Sequence, residues 1–344
     1  MKHRTARPDP AEVPGEHPFA QYVRTLGRGP GRSRSLTREE ARTALGMALR
    51  GNADPHQVGA FLMLLRYRGE DPDEMAGLVE AVRETIGAPL PCPARVDLDW
   101  PSYGSGRTRG APWYLLAALA LSRAGYRVLM HGSNEFTRGT TAGDGLEALG
   151  MRPARDPAEA AEAVARTGFA YLPLAALSPA LDAMLGLRHL LGLRSPLNTV
   201  ARLLNPFDAA AGVDGVFHPP YVELHLAAAE RLGRTRLAVV KGGGGEAERS
   251  PSKAVAAHLF DRAEGRSELV LPALGPAAGA ADLARVWRGD DADADAAPGE
   301  VATVRGTIAL GLLALGAART AEEADRRAAE VWAGRHATAE TGAS

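Results

Sequence analysis

Residues 97–150 decide the fold: DLDWPSYGSGRTRGAPWYLLAALALSRAGYRVLMHGSNEFTRGTTAGDGLEALG. Their pattern predicts a strand, a glycine-rich turn, an apolar helix closed by Gly125, a second strand, a polar loop and the start of another helix. In an open α/β sheet, loops at the carboxyl ends of neighbouring strands face one crevice, where ligands bind. Glycine turns and helix N-termini suit such a crevice to anions, although ordinary βα turns have the same pattern.

The composition indicates a globular protein of two domains. The chain has 344 residues, is 45% hydrophobic and carries a formal net charge of -1. Its single cysteine, Cys92, excludes a disulfide framework and a cysteine-built metal site. No apolar run is long enough for a membrane helix and the N-terminus has no signal-peptide pattern, so we expect no membrane association and a cytoplasmic location.

The pattern changes along the chain in a way that predicts its organisation. We expect a disordered tail at 1–16, a helical domain at 17–90, a linker at 91–96 and an α/β domain with a central, mostly parallel sheet at 97–344, of which 170–185 packs back on the helical domain. Thr37 and Glu40 form a capping box pattern, and Asp54 and Asp71 are helix caps followed by proline. The acidic run 290–295 is typical of a disordered spacer.

A loop between the first two helices is rich in arginine. TLGRGPGRSRSLTR contains Arg28, Arg32, Arg34 and Arg38 without an acid among them. These guanidinium groups could bind phosphates, or the loop could be a solvated surface in an arginine-rich protein.

A second glycine loop, VVKGGGGEAERSPSK, follows another predicted strand. Lys241 and Lys253 bracket it, and lysine occurs elsewhere only at position 2. We expect an anion site, with a flexible loop as the alternative; Glu246 and Glu248 could hold Mg²⁺ or pair with arginines. His131 and His218 lack partners at zinc-ligand spacing, and the pattern around Ser178 favours a helix cap over a nucleophile.

Several motifs together resemble the anthranilate phosphoribosyltransferases of glycosyl transferase family 3. They are HGSN with GDGLEALG, LRHLLGLRSPLN with RLLNP, and VVKGGGGEAE, in the family's order after a helical domain. The resemblance implies a small helical domain beside an α/β domain, usually in a homodimer formed through the helical domain.

This chain departs from the family's motifs at the positions where catalysis occurs. The loop G-T-G-G-D corresponds to residues 102–106, SYGSG, and the hydroxyl-bearing N-x-S-T to residues 112–115, PWYL. K-H-G-N becomes MHGS at 130–133, H-P-A-M becomes SPAL at 178–181, and the Mg²⁺-handling D-E pair becomes AE at 247–248. An active phosphoribosyl or pentosyl transferase using Mg²⁺ and phosphoribosyl pyrophosphate is therefore the alternative interpretation. Its substrate pocket would contain Gly104, Gly106, His131, Ser133, Thr137, Ser178 and Arg188, with Glu248 at the metal.

The departures resemble a branch of the family that binds nucleic acid. TLGRG, PSY…PWYLLA and GGEAERSP carry this likeness. It implies a homodimer that needs no cofactor and binds single- or double-stranded DNA without sequence preference. Tyr103 and Trp113 could stack on bases. The near-neutral net charge requires a local basic stripe. The phosphate-binding cations would be Arg28, Arg32, Arg34, Arg107, Arg109, Arg138, Arg202, Lys241, Arg249 and Lys253.

Overall fold

The computed structural model describes residues 15–29, 31–104, 110–133, 135, 137–289 and 297–336. The predicted tail at 1–16 lies almost entirely outside these ranges, as does the acidic run 290–295. Within the described residues, no helix is long and apolar enough to cross a membrane.

The N-terminal part is a bundle of four helices whose starts follow from their capping residues. Thr37 accepts a hydrogen bond from the backbone N–H of Glu40, and the Glu40 carboxylate accepts from the N–H of Thr37. Asp54 and Asp71 form capping boxes in the same way, each followed by proline in the first turn. The predicted caps are confirmed. The helices are α1 (Ala20–Gly27), α2 (Arg38–Leu49), α3 (Pro55–Arg68) and α4 (Pro72–Ile86).

The rest of the chain forms a seven-stranded sheet with the order β3-β2-β1-β4-β5-β6-β7. The first five strands in this order are parallel, and β6 and β7 add an antiparallel edge. The strands are β1 (Leu98–Ser102), β2 (Val128–Gly132), β3 (Phe169–Pro173), β4 (Ala211–Val216), β5 (Arg236–Lys241), β6 (Val255–Asp261) and β7 (Gly265–Leu271).

Helices cover both faces of the sheet. Those between the strands are α5 (Trp113–Arg123), α6 (Ala142–Ala148), α7 (Pro157–Thr167), α8 (Leu174–Leu177), α9 (Pro179–Gly186), α10 (Arg188–Leu191), α11 (Leu197–Arg202) and α12 (Pro220–Arg231). After the sheet come α13 (Leu283–Arg288), α14 (Pro298–Ala314) and α15 (Ala321–Ala333).

Two large apolar cores hold these layers together. One core joins the helical bundle to the segment around α9, where Leu181 and Leu185 pack in the same cluster as Phe61 and Leu62 of α3. The other core lies under α5 and α14 and contains Trp100 and Trp113. The bundle and the sheet domain therefore share buried surface.

The expected fold class is confirmed: a helical bundle precedes an α/β domain with a mostly parallel sheet. The pattern of AHLFDRAEGRSELVLPAL (257–274) predicts edge strands, and this stretch contains most of β6 and all of β7. The sequence pattern did not predict β3 or β4. The β4 sequence AGVDGV has only two β-branched residues, so its strand propensity is low and its conformation depends on its neighbours β1 and β5.

Candidate functional site at the carboxyl edge of the sheet

The central crevice lies where the strand order reverses. β1 is flanked by β2 on one side and β4 on the other, so the loops after these strands diverge at the carboxyl edge. Hydrogen bonds join the loops that follow β1 and β2. Thr137 in the loop after β2 donates to the Gly104 carbonyl at 3.0 Å, and the Ser133 N–H donates to the Ser102 carbonyl at 3.3 Å.

A buried polar chain lies at the base of the crevice. The Tyr103 hydroxyl is 2.8 Å from His131 Nδ1, His131 Nε2 is 3.2 Å from an Asp99 carboxylate oxygen, and Arg234 lies 3.3 Å from the other oxygen. Burial raises the pKa of Tyr103 well above its ordinary value. Burial also acts to raise the pKa of Asp99, but the pairing with His131 and Arg234 outweighs it and holds that pKa below its usual value.

This chain of contacts corrects two expectations about aromatic residues. Tyr103 is 2% exposed and Trp113 is 1% exposed, so neither ring can stack on a base in this conformation. Tyr103 is committed to His131, and Trp113 belongs to the core beneath α5. His131, expected in the alternative substrate pocket, is fully buried. The sequence pattern did not identify Asp99 and Arg234 as site residues. An aspartate within the apolar strand LDW could have indicated a buried polar site.

Carboxylates of the second glycine loop occupy the start of α5. Glu248 Oε2 accepts the backbone N–H of Tyr114 at 3.1 Å, in the first turn of the helix. Glu246 is 2% exposed, its Oε1 accepts from the Ser102 hydroxyl at 3.3 Å, and a Cβ on Gly104 would lie only 2.3 Å from that oxygen. A helix N-terminus attracts negative charge, and here the chain's own acids supply it.

Arg202 connects the two glycine loops through hydrogen bonds to the carbonyls of Tyr103 and Gly245. It is 7% exposed and donates to the Tyr103 carbonyl at 2.6 Å and to the Asn198 carbonyl at 2.8 Å. Burial lowers the pKa of Arg202, while Glu246 and Asp214 act in the opposite direction. Arg202 is therefore a structural cation at a cavity wall, and the expectation of an exposed phosphate contact is corrected for this residue.

Arg249 is also misassigned by the sequence pattern. Its side chain is fully buried, forms an ion pair with Asp325 of α15 and donates to the Pro272 carbonyl at 2.6 Å. A buried guanidinium requires such partners because desolvation is costly. Arg249 thus holds the second glycine loop against α15 and is not available to a ligand at the surface.

The remaining expected cations differ in exposure. Arg34 is 54% exposed and paired with Glu40 at 2.6 Å. Arg107 and Arg109, with Gly106 of the alternative pocket, lie outside the described residues. Arg28 is half-buried, whereas the other described cations of this set are exposed as Arg34 is: Arg32, Arg138, Lys241 and Lys253. Arg138 follows β2 and Lys241 ends β5, so both lie at the carboxyl edge of the sheet.

The other alternative-pocket residues surround the loop after β2. Ser133 forms a hydrogen bond with Asp182, which partly offsets the increase in the pKa of Asp182 caused by burial. Ser178 is 2% exposed and precedes α9, but its hydroxyl makes no capping hydrogen bond. Arg188 is half-buried at the start of α10. Among the described residues, no three potential metal ligands cluster.

The fold and the crevice together define a class: a glycosyl-transferase scaffold with a helical bundle and an α/β domain. Residues 20–86 match the helical bundle domain of the glycosyl transferase family, and residues 114–331 match its a/b domain. The chain therefore belongs to glycosyl transferase family 3 and is anthranilate phosphoribosyltransferase-like.

Individual relatives share this scaffold. An anthranilate phosphoribosyltransferase of Methanosarcina acetivorans is 30% identical over 70% of this chain and 64% of its own length. An uncharacterized Escherichia coli protein, YbiB, is 28% identical over 71% of this chain and 77% of its own length. The crystal structure of anthranilate phosphoribosyltransferase from Thermus thermophilus superposes with a TM-score of 0.75 at 26% identity, covering 93% of this chain and 95% of the other. The chain thus spans slightly less than two thirds of the Methanosarcina relative.

Proposed function

We propose that this protein is a sequence-independent nucleic-acid-binding homodimer in the cytoplasm that uses DNA phosphates as its ligands and no longer transfers a phosphoribosyl group. The main support is the contact between Glu248 and the Tyr114 N–H at the start of α5. The helix N-terminus that follows the first glycine loop is a natural phosphate site. In this chain a carboxylate already occupies it.

Electrostatics disfavour pyrophosphate in the same crevice. A ligand phosphate at the α5 N-terminus would lie close to Glu248, with the buried Glu246 beside Gly104. Two like charges about 4 Å apart repel by about 4 kcal/mol at an effective dielectric of about 20. Metal ions normally relieve this repulsion in phosphoryl sites, but Ala247 stands where the family has an acid, and it is fully buried.

Exposed cations support the nucleic-acid-binding part of the proposal. Within the described ranges, the side chains of Arg32, Arg138, Lys241 and Lys253 make no hydrogen bond or ion pair. A cation without an acidic partner can neutralise a DNA phosphate and release the counter-ion condensed on the DNA there, which makes binding sensitive to salt. Because the net charge of the chain is -1, the DNA must bind to a local basic surface and not to the protein as a whole.

The test is fluorescence anisotropy with a labelled single-stranded oligonucleotide, titrated over a series of salt concentrations. Affinity should fall steeply with salt. The triple variant Arg138→Gln, Lys241→Gln, Lys253→Gln should reduce the log–log salt slope by about two, at roughly 0.7 per lost phosphate contact. Arg123→Gln is the control, because Arg123 is also exposed but ends α5 at the opposite edge of the sheet. Absence of binding at low salt, or a salt slope unchanged in the triple variant, would refute the proposal.

The second candidate function is phosphoribosyl or pentosyl transfer. It is favoured by Thr137 beside Gly104, by Arg188 and Glu248 at positions that match the family, and by the names of several relatives. Phosphoribosyl pyrophosphate with Mg²⁺ at 100 times its Kd would stabilise the fold by about 2.7 kcal/mol. An unchanged melting temperature at millimolar ligand would eliminate this candidate, and a clear increase would favour it over nucleic-acid binding.

A further inference from the structure

A small polar cavity of about 180 Å³ lies at the amino edge of the sheet, the edge opposite the crevice. Its walls come from the segments that enter β4 and β5 and from the residue that follows the antiparallel strand β6. Three guanidinium groups line it: Arg83 of α4, Arg234 before β5 and Arg262 after β6. Several guanidinium groups around one small volume are typical of an oxyanion site.

Arg234 is the buried member of this set. It is 7% exposed, and its Nη2 lies 3.3 Å from the Asp99 carboxylate. Its Nη1 is buried without a hydrogen-bond partner in the described part of the chain, and such a donor is costly to bury. Strand β4 leaves room for this guanidinium, because a Cβ on Gly212 would lie only 2.4 Å from Arg234 Nη2. The fold therefore holds Arg234 in place while one of its donors stays unsatisfied.

Arg83 is only weakly neutralised by the protein. Its Nη1 donates to the carbonyls of Leu204 and Asn205, and its Nη2 lies 3.5 Å from Asp208, whose side chain is 69% exposed. An ion pair with so exposed a carboxylate contributes little to stability. Burial is the main cause of a lowered pKa of Arg83; Asp208 opposes this decrease and Arg234 adds to it. An incoming anion would therefore meet a cation that no strong internal ion pair occupies.

The loop that carries Asp208 has a defined shape. Asn205 and Asp208 have φ angles of 43° and 54°, in the left-handed region that few residues other than glycine adopt. The buried Asn205 side chain donates to the Ala209 carbonyl at 3.0 Å and accepts from the Ala209 N–H at 2.8 Å. The turn thus places the Asp208 carboxylate in the cavity lining, where it can accept hydrogen bonds but not donate them.

We propose that this cavity, referred to below as the amino-edge cavity, binds inorganic phosphate in its monohydrogen form. The guanidinium groups donate to the phosphate oxygens, and the remaining phosphate hydroxyl donates to Asp208. Sulfate has the same shape and charge but no proton, so Asp208 repels it without a compensating hydrogen bond. The volume lies below the range of about 300–1,000 Å³ that drug-sized ligands occupy, so a tetrahedral ion fits and a nucleotide does not.

The test is isothermal titration calorimetry with sodium phosphate and with sodium sulfate, at constant ionic strength and mildly alkaline pH. The wild type should bind phosphate at least about tenfold tighter than sulfate, the difference expected for one charge-assisted hydrogen bond. Arg262→Gln should weaken phosphate binding about tenfold for the same reason. Arg262 is exposed and its Nε lies 3.3 Å from the Arg234 carbonyl, so we expect the variant to fold. Arg66→Gln is the control, because Arg66 lines a different cavity at the carboxyl edge, and it should bind phosphate as the wild type does.

Asp208→Asn tests the selectivity, since asparagine also adopts the left-handed conformation. This variant should bind sulfate severalfold more tightly than the wild type does. Oligonucleotide affinity should be unchanged in Arg262→Gln, because the amino-edge cavity is separate from Arg138, Lys241 and Lys253 at the other edge and in the second glycine loop. No phosphate binding by the wild type, equal wild-type affinities for the two anions, or a wild-type Kd for phosphate in Arg262→Gln would refute the proposal.

Discussion

Arg249 and Lys253 show at the residue scale how the surroundings of a cation determine its role. Arg249 and Lys253 are four positions apart in the same loop, yet Arg249 is fully buried and Lys253 is exposed. The difference comes from Asp325 of α15, which lies 76 positions away in sequence and pairs with Arg249. A buried ion pair is strongly destabilising to break because the partner charge stays desolvated.

Arg249→Met should therefore lower the free energy of unfolding by about 3 kcal/mol, measured by urea denaturation. Arg326→Met is the control on the same helix as Asp325, since the Arg326–Glu330 pair is 63% exposed at both side chains and should contribute less than about 1 kcal/mol. At low temperature, where the Arg249→Met variant is folded, its oligonucleotide salt slope should equal that of the wild type. Similar unfolding free energies for the two variants would show that Arg249 is not a structural residue.

At the scale of secondary-structure elements, helix starts are defined by local side chains. The Glu40 carboxylate accepts from Arg34 at 2.6 Å and from the Thr37 N–H at 2.8 Å. These contacts lower the pKa of Glu40 from 4.5 to about 2, and the hydrogen bond from Arg34 is the largest cause of this decrease. Since the folded pKa is below the unfolded one, the stabilisation is present above pH 4.5 and is lost as the pH falls towards 2.

Glu40→Gln should reduce the free energy of unfolding by about 1 kcal/mol at pH 7, a value discounted because Arg34 is mostly exposed. Glutamine can keep the capping hydrogen bond. The difference in unfolding free energy between the wild type and Glu40→Gln therefore measures the contribution of the Glu40 charge. Urea denaturation at pH 7, 5 and 3 should show the wild type and variant converging as the pH falls. Glu330→Gln, in an exposed pair on α15, serves as the control and should change stability little at any of these pH values. A constant difference between Glu40→Gln and wild type across the pH range would contradict the assigned pKa.

At the scale of the whole molecule, two apolar side chains on neighbouring helices are the most exposed of the large apolar residues that the structure describes. Tyr67 at the end of α3 is 90% exposed, and Leu190 in α10 is 83% exposed. These two helices are neighbours, because Leu191 approaches Gly59 of α3. Large exposed apolar side chains on neighbouring helices are candidates for a protein interface, and they offer a test of the proposed homodimer through the bundle.

Light scattering after size-exclusion chromatography should give the mass of a dimer for the wild type and of a monomer for the double variant Tyr67→Asp, Leu190→Asp. Val270→Asp, which alters a 65% exposed residue on the edge strand β7, should remain dimeric. The monomeric variant should also bind long oligonucleotides at least tenfold more weakly, because it loses the avidity of two linked surfaces. A monomeric wild type would refute the homodimer.

The sequence by itself determined the helix caps, the βα units around residues 97–150 and the family motifs, because each depends on residues close together in the chain. It also marked the two glycine loops as neighbours of one crevice. Tertiary structure alone decided which charged residues in those loops reach a ligand. Glu248 meets Tyr114 across 134 positions, and Arg202 meets Tyr103 across 99. Burial and pairing come from such distant contacts, and no local pattern encodes them. For the same reason no local pattern predicted the cavity lined by Arg66 of α3 and Gly245 of the second glycine loop, which forms only when these two segments are brought together.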